Sequence, residues 1–311
     1  MKIIAAGIDI SGLVGKVTWS GDSKQYARKL SFTYAHTEKD DNIIKVDVPL
    51  GSRILMYDDT GKLRFDGVAL TLEKNEAGED LSVGCKDMAF YLRSKAYNTY
   101  KGTPAQIAAA VCSEFGIPVG VLSDASKSVS VISTGDKMVY QIIEAAYEAA
   151  GRDIHIYMEG LSLCTEEPGT KLAAIYTGDD SVTDAVYKSS IEELVDQVYI
   201  MDKNGKFLRA VQNDEDMAAY GIVRDIYKVE DSKKDVDAEA RKLIRSVENT
   251  GSIDITASDY EAVTGRRVII MKAGSSISGD FVIVSDNHSI ENGKHTVKLG
   301  LDFKGVGYGK E

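Results

Sequence analysis

Polar and apolar residues alternate along many short stretches of this chain, the period-two pattern of half-buried strands. The clearest run lies between Gly265 and Phe303. Val268 and Ile270 alternate after the glycine, a Gly/Ser turn follows, and a second strand runs through Phe281 and Ile283. Asn292-Gly293 predicts a tight hairpin, because the central residues of such a turn take positive φ, which Asn and Gly tolerate. A last strand alternates Val297, Leu299, Leu301 and Phe303. The stretch from Gly51 to Asp87 follows a similar plan: Gly51-x-Arg53-Ile54 answers Gly265-x-Arg267-Val268 at a distance of 214, and Gly67 answers Gly279 at 212, so one short gap aligns them. Hairpins with glycine corners also recur in small barrels on physical grounds alone. The pattern therefore leaves duplication and coincidence both open.

The same alternation predicts strands over residues 17–21 and 28–32, and over Ile44, Val46, Val48 and Leu50 with Pro49 at an exit position. The lone Trp19 reads as a core anchor. Near residue 97 the period changes. Thr103-Pro104 offers an N-cap and a proline for the first helical position, Ile107, Val111 and Phe115 share a face, and Gly116 ends the helix. A β-prone piece, residues 129–133, precedes a second helix from Met138 to Ala150, stopped by Gly151. Ile154, Ile156 and Met158 then pair through Glu159-Gly160 with Leu161 and Leu163. Residues 165–180 read as a crossing between modules, and Ser189-Ser190-Ile191-Glu192 as the start of a short helix. Val198 and Ile200 form a hairpin with residues 207–211 through Asp202-Lys203-Asn204-Gly205. An amphipathic helix is expected over 235–247, with Val236, Ala240, Leu243, Ile244 and Val247 as its apolar stripe. The terminal KGVGYGKE has no periodicity and is expected to fray.

Composition narrows the class. Hydrophobic residues make up 43% and charged ones 27%, an ordinary globular balance. A net charge of −11 argues against a grip on phosphate backbones and against docking on an anionic membrane. The opening apolar run, Ile3 to Ile8, is cut by Asp9, so it does not read as a signal peptide. Cys85, Cys112 and Cys164 are odd in number and far apart, which fits buried thiols rather than a disulfide framework or zinc site.

Motifs that carry chemistry are not evident. The histidines, His36, His155, His288 and His295, form no H-E-x-x-H or close ligand set. His288 and His295 flank the Asn-Gly hairpin and could face each other, but are read as solvated strand residues. Gly305, Gly307 and Gly309 precede no helix and make no phosphate cradle. The acidic runs Glu38-Lys39-Asp40-Asp41 and Asn213-Asp214-Glu215-Asp216 read as solvated loops rather than paired catalytic carboxylates. No catalytic, cofactor-binding or metal-binding residue is assigned, which favours assembly or binding over an enzyme.

The ordered set of motifs is similar to a known family. Val17-Thr18-Trp19-Ser20-Gly21, Arg28-x-Leu30-x-Phe32, the Thr103-Pro104-Ala105-Gln106-Ile107 and Tyr140-Gln141-Ile142-Ile143 helices and Tyr157-x-x-Gly160-x-x-Leu163 resemble prophage tail proteins of Gram-positive bacteria. Ser189-Ser190-Ile191, Asn204-Gly205, Tyr220-Gly221, Asp237-Ala238-Glu239-Ala240 and Gly265-Arg266-Arg267-Val268 resemble the late control D type of contractile-tail hub. That resemblance implies an α+β, multi-domain fold with two tail-tube-like antiparallel β-barrel modules and a small α/β insertion domain. The expected domains are residues 1–97, 98–164 and 165–311, with 17–95 and 182–303 as the ring-forming parts. It implies a baseplate hub: a homotrimer whose six barrels join a hexameric tail tube to a trimeric central spike. The implied partners are the chain itself, the tail tube protein, the spike and other baseplate or wedge proteins, with a LysM-type tail protein and the tape measure as candidates; no membrane and no specific nucleic acid is expected. Assembly in the bacterial cytoplasm would precede residence in a phage or phage-tail-like bacteriocin particle. Some relatives carry a hydrolase downstream; no lytic domain is expected here. Two other readings stay in view, a tail-associated peptidoglycan hydrolase and a β-rich cell-surface or carbohydrate-binding protein.

Overall fold

The structure is a computed structural model describing residues 1–36, 45–74, 80–177, 182–229, 235–255, 259–271 and 278–302. Strands β1 (Lys2–Ala5), β2 (Ile8–Asp9), β3 (Val14–Asp22) and β4 (Lys29–Ala35) open the chain, and a meander of β5 (Arg53–Tyr57), β6 (Leu63–Lys74) and β7 (Asp80–Asp87) follows. A 3-10 turn leads into β8 (Lys95–Gly102), α1 (Pro104–Glu114), β9 (Val129–Met138), α2 (Val139–Ala149), β10 (His155–Glu159) and β11 (Ser162–Glu166). Next come β12 (Leu172–Thr177), β13 (Val182–Ser190), β14 (Gln197–Met201), β15 (Phe207–Gln212), α3 (Asp214–Tyr220), β16 (Arg224–Lys228) and α4 (Val236–Arg241). Strands β17 (Glu248–Ile255), β18 (Arg267–Met271), β19 (Gly279–Glu291) and β20 (Lys294–Asp302) follow. The fold is α+β with strands dominant. The chain divides into two compact units, residues 1–186 with 252–311, and residues 187–251.

The larger unit contains one strand plan twice. The first repeat is ordered β3-β4-β7-β6-β5-β1 and the second β13-β17-β20-β19-β18-β12, with equivalent strands in the same order along the chain. The register is copied as well. Arg53 pairs with Val68 and Ile54 with Gly67; Arg267 pairs with Val282 and Val268 with Phe281, a constant offset of 214. Gly67 therefore corresponds to Phe281, and the gap suggested by matching Gly67 to Gly279 is absent. The strand entries agree bond for bond: Gly51 N donates to Ala69 O (2.8 Å) and Ala69 N to Ser52 O (2.9 Å), while Gly265 N donates to Ile283 O (2.9 Å) and Ile283 N to Arg266 O (2.8 Å). Gly51 and Gly265 take φ of 84° and 88°, a region glycine enters without the steric cost of a Cβ. A bulge follows in both repeats, between Ala69 and Thr71 and between Ile283 and Ser285. The copies differ at the last strand, since β1 lies antiparallel on β5 and β12 parallel on β18.

Each repeat wraps its own apolar cluster. Val17, Trp19, Leu30, Phe32, Ile54, Met56 and Phe65 fill the first; Ile253, Ile255, Val268, Phe281, Leu299 and Leu301 fill the second. Each such side chain contributes about 1.5–3 kcal/mol on burial. Between the repeats in sequence, α1 and α2 pack Ile107, Val111, Ile142, Ile143 and Tyr147 against Leu163 of β11. Helix α1 begins where its caps direct: Thr103 Oγ1 accepts from Gln106 N, and the Gln106 side chain accepts from Thr103 N. All three cysteines are buried free thiols.

Several elements depart from the sequence pattern. Val46 and Val48 are buried, yet residues 45–49 are in no strand; the Tyr34 hydroxyl donates to Val46 O (2.8 Å), a side-chain anchor in place of a ladder. Residues 172–177 form strand β12 rather than an irregular crossing, because their β-branched and aromatic residues lie along β18. The expected helix at 189–192 is absent: β13 runs through Ser190, whose hydroxyl accepts from Glu192 N (3.3 Å) in a turn.

The smaller unit is a three-stranded sheet, β15-β14-β16, with Val198, Ile200, Val211 and Ala240 at its core. Its helix α4 stops at Arg241, well short of 247. Leu243 and Ile244 still pack on the core, but in a tightening turn, and Arg245 exchanges both backbone bonds with Val195 at 2.9 Å. The acidic run at 213–216 is a helix start rather than a loop. Asn213 caps α3, and three carboxylates occupy its first turn, where the helix dipole favours them. Phe303, the terminal tail and residues 38–41 lie outside the described residues.

Candidate functional site

The feature with the most buried chemistry is the seam where the two repeats meet. Beyond its bulge, β19 leaves β18 and pairs antiparallel with β3, from Ser285 opposite Asp22 to Glu291 opposite Lys16. The second repeat thereby continues into the first through backbone bonds. Polar side chains then lock the join. Asp286 is fully buried and accepts from both terminal nitrogens of Arg28 (2.9 Å for Nη1), from Thr264 N and from Thr264 Oγ1 (both 2.6 Å), with His288 Nε2 a further neighbour at 3.3 Å. Burial by itself would raise this carboxyl; the Arg28 charge and the His288 and Arg28 hydrogen bonds outweigh it and hold it well below the usual carboxylate range. The Arg28 guanidinium also lies 4.1 Å from the centre of the Trp19 ring. A Cβ on Gly21, opposite Asp286, would fall 2.3 Å from Arg28 Nη1, so only glycine leaves room for this fork.

His288 and His295 belong to the same lock and are buried, not solvated. His288 Nε2 lies 3.2 Å from Ala262 O, and His288 Nδ1 lies 3.1 Å from His295 Nε2. A carbonyl can only accept, so His288 Nε2 carries a proton, and the contact between Nδ1 and His295 Nε2 shares one proton between the two rings. Burial and the neighbouring His288 push His295 down to about 4. The hairpin alternation misled here because β19 is paired on both edges over this stretch. Trp19 is a core anchor as expected, packed at a tilt against His288 with 4.7 Å between ring centres.

Beside the lock lies a cavity of about 150 Å³, lined among others by Arg28, Arg64, Asp87, His155, Lys171 and Tyr260. Its cations Lys62, Arg64 and Arg266 are paired with carboxylates that lie outside its lining. Arg64 binds Asp58 (2.7 Å), while Glu261 is held by Lys62, Arg64 and Arg266 and brought down to about 2 against the effect of burial. Asp87 goes the other way: burial pushes it up to about 7, and its carboxylate caps the following 3-10 turn through Ala89 N. His155, lowered to about 4 by burial and then by Arg28, lies where a Cβ on Gly265 would stand, 2.3 Å from its ring. The seam therefore joins the two repeats into one sheet. Arg28 and Asp286 are 258 residues apart, so no local motif could have paired them. Among the described residues no cluster of His, Cys, Asp and Glu is placed to hold a metal, and no helix is long and apolar enough to cross a membrane.

A second pair of features flanks the seam. Residues 71–74 of β6, past the first repeat's bulge, are exposed on the side away from β7 and meet no second strand among the described residues. Strand β13 likewise ends its sheet, with β17 its one neighbour among the described residues.

A family described as YQBQ-like matches residues 17–302. No curated protein matches the chain significantly in sequence. Among solved structures, the 43 kDa tail protein of prophage MuSo2 from Shewanella oneidensis is similar with a TM-score of 0.76 and 14% identity, over 97% of each chain. The tail protein from Neisseria meningitidis MC58 has a TM-score of 0.71 at 13% identity, covering 98% of this chain and 96% of that one. The E. coli c3393 protein, described as a component of the type VI secretion system with similarity to T4 bacteriophage tail proteins gp27 and gp5, has a TM-score of 0.56 at 10% identity, over 96% and 76%.

Proposed function

This chain belongs to the YQBQ-like family and has the fold of prophage tail proteins, and from that premise we propose that it is a structural hub protein of a phage-type tail baseplate. Three copies form a ring of six similar modules, which meets a hexameric tail tube on one face and a trimeric spike on the other. The observation that carries this reading is the internal repeat, copied at a constant offset of 214 down to individual backbone bonds. A subunit with two like modules gives a trimer near-sixfold symmetry while keeping its true threefold axis. The buried ion-pair seam supports a rigid subunit, and the pairing of Asp286, Asp58 and Glu261 with arginines supports a structural rather than a catalytic role. The remaining partners are other baseplate proteins, and the protein resides in the assembled particle after assembly in the bacterial cytoplasm. A net charge of −11 would suit a ring wall that repels a passing phosphate chain. Light scattering coupled to size exclusion tests the assembly. A trimer that binds the hexameric tube protein is expected, and a chain that stays monomeric at tens of micromolar protein, about the range where weak assemblies form, contradicts it.

A further inference from the structure

The joint between repeats is made once within the chain and left open once. In the second repeat the bulge at Ile283 and Ser285 turns β19 off β18, and residues 285–291 then pair with β3, the strand flanking β4. In the first repeat the same bulge, at Ala69 and Thr71, turns β6 off β5. Residues 71–74 occupy the positions of 285–288, and among the described residues nothing covers them. The partner they lack has a counterpart too: β13 flanks β17 as β3 flanks β4, and its outer edge is open. Burial records the difference. Asp286 and His288 are 2% and 0% exposed, whereas Leu72, equivalent to Asp286, is 37% exposed and Val186 on β13 is 49% exposed.

One chain thus carries both halves of a joint whose sister it closes internally. Unlike edges at two places on one subunit make a head-to-tail contact, which generates a ring or a filament. Exposed edges of this kind are also covered in nature or used for strand addition. We propose that residues 71–74 of one copy add antiparallel to residues 182–186 of the next, reproducing between copies the β19–β3 seam found within each. The inference rests on the ring reading and adds where the copies join. It also specifies the chemistry. Leu72 stands where Asp286 stands in the internal seam, so the contact between copies is backbone pairing with apolar cover and lacks the buried carboxylate lock.

Hydrogen–deuterium exchange on the full chain, below and above its assembly concentration, tests this. The amides of 71–74 and 182–186 are expected to exchange about tenfold or more slowly once assembled. A Leu72→Asp variant should weaken assembly about tenfold or more while the monomer keeps its circular dichroism and melting temperature. Trimers in which both segments exchange as fast as in the monomer overturn the edge pairing and leave the ring reading standing. A folded Leu72→Asp chain that assembles like the parent overturns it equally. A chain that never assembles overturns both.

Discussion

The first repeat, β3 to β7, and the second, β13 with β17 to β20, have the same strand order, glycine entry and bulge, yet differ in what the bulge leads to. In the second repeat the strand continues into a neighbour and its side chains are buried. In the first the same backbone faces outward. Backbone register has been copied, then, while the side chains that guard the joint have diverged. Where the partner is always present, Asp286 collects the Arg28 and Thr264 donors and is expensive to lose. Where the partner is a separate molecule, Leu72 makes a contact that can form and dissolve. The ion pairs at the entries show the same divergence on a smaller scale. Arg53 grips Asp66 with two bonds (2.9 and 2.6 Å), whereas Arg267 reaches one oxygen of Asp280 (2.8 Å), leaving its Nε and the other oxygen without a hydrogen bond.

The comparison breaks most visibly at the lock. Asp286→Ala leaves the half-buried Arg28 without its anion and strands the Thr264 donors, and should cost about 3–5 kcal/mol in chemical denaturation. A loss under about 1 kcal/mol would mean that the seam depends on backbone pairing alone. Next, Asp66→Asn should cost about 1–3 kcal/mol and Asp280→Asn less than about 1 kcal/mol, because Asp66 is more deeply buried than Asp280 and its pair is bidentate. Equal losses would remove the distinction between the entries.

Much of this plan was legible beforehand. The β18 to β20 strands, the Asn292-Gly293 turn and the capping of α1 follow from alternation and local turn chemistry, which a short window contains. The repeat was visible too, but aligned through Gly67 and Gly279, which serve different purposes. A better marker was present: an arginine followed thirteen residues later by an aspartate, Arg53 with Asp66 and Arg267 with Asp280. The lock itself was not legible, since Arg28, Thr264 and Asp286 meet only once the two repeats have paired. Helix α4 was read too long because its apolar stripe keeps helical spacing through Ile244 while the backbone has already turned toward Val195.

Acid titration sharpens the seam further. His295, with a folded value of about 4, lies below its unfolded value of about 6.5, so its contribution is lost as the pH falls through that interval. Asp87, raised to about 7, contributes increasingly over the same fall, since its unfolded value is about 3.9. Denaturation between pH 7 and 4, about the span of these two values, should therefore show Asp87→Asn losing stability more steeply than the parent and His295→Gln less steeply. Parallel curves for all three would exclude both groups as titrating contributors. The smallest expected effect is a matched pair. A Cβ at Gly84 or at Gly300 would stand 2.3 Å from the hydroxyl of Thr71 or Ser285, side chains that can rotate away. Gly84→Ala and Gly300→Ala should each cost about 1 kcal/mol or less and agree with each other, and a large difference in melting temperature would show that the two bulges are not equivalent.

Electron cryo-microscopy of the assembled protein, reconstructed without imposed symmetry, tests most directly whether one chain supplies two like segments of a common ring. A closed threefold particle with six similar modules, and sheet density running from β6 of one copy into β13 of the next, is the result expected. Particles in which the two repeats lie at unrelated radii, or copies that meet through other surfaces, would contradict it.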